Sequence, residues 1–168
     1  MPRSAALPFN LRRSQDVLGS AEITTTTERV HGLLRLDGDR LVIQWRLTRQ
    51  TQTLGSEIKT EEEMEPVREI VLPLRAIAGA SVRRPWWLFG AGLRLVLTAA
   101  DLQAFDELAG EGGLKLAHPA EVVLRLRKRD ALTAEEFTAE VTLALAEMSL
   151  PAADRPEMLA SPPPPKHQ

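Results

Sequence analysis

Apolar and polar residues alternate with a period of two along much of the chain. In the run from Leu41 to Thr48, residues Leu41, Ile43, Trp45 and Leu47 share one face and Val42, Gln44, Arg46 and Thr48 take the other. That alternation predicts a half-buried antiparallel strand. The apolar run Leu33-Leu34-Arg35-Leu36 precedes it, and Asp37-Gly38-Asp39-Arg40 lies between them. Asp-Gly between two apolar runs predicts a tight hairpin, because glycine accepts a positive φ. Further strands are expected over Val67–Pro73, with Ile70 and Leu72 inward, and over Gly79–Arg84. Two more follow from Leu93 with Leu95 and Leu97, and from Val122, Leu124 and Leu126 within Glu121–Lys128. Leu114-Lys115-Leu116 predicts a short strand limited by Pro119. Pro73 to Ile77 reads as a bend, since proline cannot donate to a central ladder. The polar stretch from Thr51 to Glu65 reads as a long loop or a frayed hairpin end.

Two segments change period. Leu102, Phe105 and Leu108 lie at helical spacing behind Asp101, a candidate cap, and Gly110, Gly112 and Gly113 end that short helix. Near the C-terminus, Thr133-Ala134-Glu135-Glu136 has the form of a capping box, with Leu132 and Phe137 placed as a hydrophobic staple. Phe137, Val141, Ala144, Leu145 and Met148 then form one apolar stripe. A helix with such a stripe must cover something, and the preceding sheet is its natural partner. The expected fold is therefore mainly β, an antiparallel barrel or roll of about seven strands capped by a C-terminal amphipathic helix, with a short inserted helix.

Composition narrows the function. The chain has 168 residues, a length suited to one domain with tails. Residues 1–20 read as a partly ordered arm, 21–149 as the domain, and 150–168, with Pro162–Pro165, as a disordered tail. A proline run of this kind is either solvated or a ligand for an aromatic groove. Lys and Arg number 21 against 23 Asp and Glu, so the formal net charge is −2, which argues against nucleic acid as partner. The chain contains no cysteine, which removes disulfides, thiol nucleophiles and thiolate metal sites. The start of the chain lacks an apolar signal-peptide run, and no segment reaches the length of a spanning helix, so the expected location is cytoplasmic.

Three pieces, the hairpin over Gly32–Ile43, the segment Ile70–Ile77 and the helix Thr133–Met148, resemble the pleckstrin-homology-like fold, in its bacterial PH and GRAM-type branch. The resemblance covers residues 21–149 and rests on hydrophobic spacing. It implies a barrel plugged by the final helix and a role in binding. The first hairpin loop, where that family grips phosphoinositide headgroups with basic residues, here carries Asp37, Asp39 and one Arg, Arg40.

No reactive set stands out. His31, His118 and His167 have no metal-type partner at helical spacing, and Glu61-Glu62-Glu63 reads as a solvated acidic run. No catalytic residue, cofactor or metal is expected. The departure from core patterning is Arg83-Arg84-Pro85-Trp86-Trp87-Leu88-Phe89-Gly90 at a strand-to-strand turn. Trp86, Trp87 and Phe89 either dock into a partner or a membrane interface, with Arg83 and Arg84 beside acidic groups, or fold back over the barrel rim. Arg125 and Arg127 project together from one strand, either solvated or facing an acidic partner. The expected function is a non-catalytic interaction module for a protein or peptide, at a membrane surface in one version; the alternative is peripheral binding to anionic lipid through the Trp86-Trp87 loop and its arginines. A carboxylate-based enzyme is the remaining class. The sequence leaves the oligomeric state open.

Overall fold

The computed structural model describes residues 6–19, 22–84, 92–110 and 113–150. The chain runs β1 (Ala6–Leu18), β2 (Ile23–Asp37), β3 (Arg40–Leu54), β4 (Ile58–Met64), β5 (Arg68–Pro73), β6 (Ile77–Arg83), β7 (Arg94–Ala99), α1 (Asp106–Ala109), β8 (Glu121–Arg125) and α2 (Ala131–Ser149). All strands belong to one antiparallel sheet in the order β4-β3-β2-β1-β8-β7-β6. β5 shares the free edge of β3 with β4, pairing over Arg40–Trp45 while β4 pairs over Thr48–Leu54. Among the described residues no ladder joins β6 to the β4/β5 edge, so the sheet is open.

The apolar alternation does its work on the inner face. Leu7, Phe9, Leu34, Ile43, Trp45, Leu95, Leu97 and Leu124 are buried there, and Phe105, Leu108 and Leu114 close over them. α2 packs on β6 and β1 through Ala134, Phe137 and Val141, which are fully buried. Gly38 has φ 60° in the two-residue loop between β2 and β3, as the Asp-Gly signal predicts.

Several expectations need correction. Of the segment 1–20 expected as an arm, Ala6–Leu18 forms β1, which lies inside the sheet between β2 and β8; Leu7 and Phe9 are core, and Val17 and Leu18 are exposed. The polar stretch from Thr51 is not a loop, because β3 continues to Leu54 and Ile58–Met64 forms β4. These residues show no apolar alternation because both of their faces meet water, and threonine and ladder pairing hold the strands instead. Leu114-Lys115-Leu116 forms no strand; Leu114 is instead an anchor in the core. β8 stops at Arg125, and Lys128–Asp130 is a 3-10 turn leading into α2.

Both helix starts also move. Asp101 accepts a hydrogen bond from the Gln103 backbone N–H at 2.9 Å, a local turn, and α1 begins at Asp106. α2 begins at Ala131, so Thr133 lies in its first turn and makes no capping box. Leu132 is 67% exposed while Phe137 is fully buried, so no staple forms. The preceding 3-10 turn directs the chain into the helix ahead of Thr133, and the Ala131 backbone N–H donates to the Lys128 carbonyl.

Candidate functional site: an arginine row on the outer face

Residues directly opposite one another in an antiparallel pair project from the same face. Following one register across the sheet therefore traces a row of neighbouring side chains. Arg83 on β6 faces Arg94 on β7, and Arg94 faces Arg125 on β8. Arg125 faces Asn10 on β1, Asn10 faces His31 on β2, and His31 faces Arg46 on β3. The row thus crosses six strands, roughly 24 Å at the usual strand spacing. It carries four arginines, a histidine and an asparagine on the face opposite the core. Arg12 and Arg29, paired with each other two residues along β1 and β2, lie beside it on the same face.

Little negative charge answers this row. Arg83 approaches Glu121 at 3.9 Å, a long and exposed pair. Among the described residues Arg12, Arg29, Arg46, Arg94 and Arg125 form no ion pair. Arg46 donates only to the Met64 thioether at 3.5 Å. His31 Nδ1 donates to Asn10 Oδ1 at 2.7 Å, which orients the ring and the amide across the β1–β2 pair. Arg94 Nε is buried with no hydrogen-bond partner among the described residues. Like charges directly opposite in a sheet are destabilising, so Arg83, Arg94 and Arg125 oppose the fold they sit on.

The outer face has acids of its own in Glu121, opposite Thr98, and Glu69, opposite Gln44, but the alternating ion-pair ladder lies elsewhere. Continuing the inner face outward past Leu11, Val30 and Leu47, the next register is Arg13, Glu28, Arg49 and Glu63, alternating in sign. Arg49 pairs with Glu28 at 3.4 Å and Glu63 at 3.3 Å. The Glu61–Glu63 run is thus part of a strand edge, with Glu63 engaged in an ion pair. Charged side chains of this kind also blunt an exposed edge strand.

Of the residues singled out from the sequence, the structure brings Arg83 and Arg125 into one row through Arg94. Arg84 does not join them: it reaches the other way and bonds Glu135 on α2. Arg127 is exposed two residues past Arg125, with the buried Leu126 between them, and so extends the alternation beyond the strand. Trp86, Trp87 and Phe89 lie outside the described residues. Arg94, Asn10, His31 and Arg46 were missed. The parity of Arg94 beside Leu93 and Leu95, and of Arg46 beside Trp45 and Leu47, already turned both outward; their union depends on β1 lying next to β8, which no local pattern shows.

Among the described residues no group of three or more His, Asp or Glu side chains is placed to hold a metal ion. His118 accepts from the Ala120 backbone N–H at 3.1 Å within a local turn. No described helix is long and apolar enough to cross a membrane. No family model, curated protein or solved structure matches the chain.

Proposed function

We propose that the chain is a non-catalytic interaction module of pleckstrin-homology-like type that docks an acidic protein or peptide along the arginine row. An antiparallel sheet of seven to eight strands with a C-terminal helix is compatible with that fold. The observation that carries the reading is the row itself: Arg83, Arg94 and Arg125 stand opposite one another with almost no carboxylate to answer them. Self-repulsion of this kind costs stability, and an acidic partner removes it. Arginine also suits the task, since its planar fork meets a carboxylate with two parallel hydrogen bonds.

The test is a titration of the protein against a fluorescent oligoglutamate peptide, followed by anisotropy, in parallel with sedimentation of phosphatidylserine and phosphatidylcholine vesicles. The reading predicts saturable peptide binding that weakens as salt rises. Sedimentation with phosphatidylserine vesicles and no peptide binding would replace the protein partner with a membrane surface. Binding to neither would overturn both.

A further inference from the structure

A second feature has its floor on the opposite side of the sheet and includes none of the six residues of the arginine row, although Arg12 beside that row also lines it. The inner face does not close completely. Between the sheet and residues 109–110 and 113–117 runs a groove of about 720 Å³, within the size range of small-molecule sites. Its floor is the cross-strand row Leu11, Val30 and Leu47, continuous with the core, and Leu114 and Leu116 form the facing wall. Its rim is charged. Glu28 is largely buried and both of its oxygens are engaged, one by Arg49 at 3.4 Å and the other by Lys115 at 3.5 Å. Arg13 also lines the groove, directly opposite Glu28 in the β1–β2 register, and forms no ion pair among the described residues. Arg12, the next residue on β1, lines the groove as well and likewise forms no ion pair among the described residues. The rim therefore holds a neutralised carboxylate and two uncommitted guanidinium groups, of which Arg13 stands opposite Glu28 in the register that borders the apolar floor.

We propose that this groove binds a single-chain amphiphile with a carboxylate head, its hydrocarbon laid on Leu11, Val30 and Leu47 and its carboxylate held by Arg13. Charge complementarity selects the head. Glu28 is satisfied within the protein, so the rim's unanswered charge is cationic; Arg13, on the same face of β1 as the floor residue Leu11, is the guanidinium that borders the floor, and a carboxylate matches its fork. The apolar floor selects the tail, because covering it removes hydrocarbon from water on both partners.

Isothermal titration with dodecanoate, below the concentration at which it forms micelles, tests the proposal. Dodecyltrimethylammonium serves as the probe of opposite charge. Dodecanoate is expected to bind one per chain and the ammonium far more weakly. Arg13→Gln is expected to weaken dodecanoate about tenfold. Arg13 is exposed and off the arginine row, so this variant should keep its thermal midpoint and its affinity for oligoglutamate. Absence of dodecanoate binding, equal binding of both amphiphiles, or an Arg13→Gln variant that binds as the parent does would each overturn the proposal. Any of these could occur while the oligoglutamate titration succeeds, so the two readings fail separately.

Discussion

A Cβ on Gly32 would collide with the ring of Phe9 and stand 2.6 Å from the Gln44 carbonyl oxygen. Phe9 is paired directly with Gly32 across β1 and β2, and its ring occupies the space the glycine leaves. Gly32→Ala is expected to cost about 1–3 kcal/mol, read from the urea midpoint. Phe9→Leu in the same chain should recover part of that loss, because the ring is the displaced group; additive losses would show that the two positions are not in contact. Arg125 tests the opposite sign. Facing Arg94 on one side and neutral Asn10 on the other, it contributes repulsion, so Arg125→Glu is expected to raise stability by about 0.2–1 kcal/mol. A fall in the thermal midpoint would mean that Arg125 holds the sheet together and is no docking residue.

α2 owes its position to packing and little to its ends. Phe137→Ala is expected to destabilise by about 3–5 kcal/mol, because the side chain is fully buried against β6 and β1. Thr133→Ala, at the position a capping box would assign to the cap, should change stability by less than about 0.5 kcal/mol. The long strands divide in the same way. Within β2 and β3, the pair Leu34 and Ile43 is buried, whereas the pair Ile23 and Leu54 at the far end is exposed. Amide exchange is therefore expected to be slow at residues 32–36 and 41–45 and fast at 23–26 and 51–54, although one ladder joins them. Uniform protection along β2 and β3 would contradict this. The same contrast explains what the sequence disclosed. Where one face meets the core, as at Leu41, Ile43, Trp45 and Leu47, alternation marks strand and face alike. Where both faces meet water, from Thr51 to Glu65, it vanishes although the strand persists. α2 was legible through Phe137 and Val141, but Met148, on the same predicted stripe, is 39% exposed, so the stripe marked the helix without marking how far its burial runs.

The whole molecule separates its charges. A chain with a formal net charge of −2 gathers arginines on the outer face of its sheet and glutamates along β4. That arrangement was only half legible. Arg83 and Arg125 could be marked from local parity, but 42 positions separate them in the chain, and only the pairing through Arg94 makes them neighbours. The measurement that bears most directly on the proposed docking surface is the affinity of the Arg125→Glu variant for oligoglutamate, set against that of the parent chain at the same ionic strength. Reversing one charge at the middle of the row should weaken binding about tenfold, near 1.4 kcal/mol. An affinity equal to the parent's would show that acidic partners, if bound at all, are bound elsewhere.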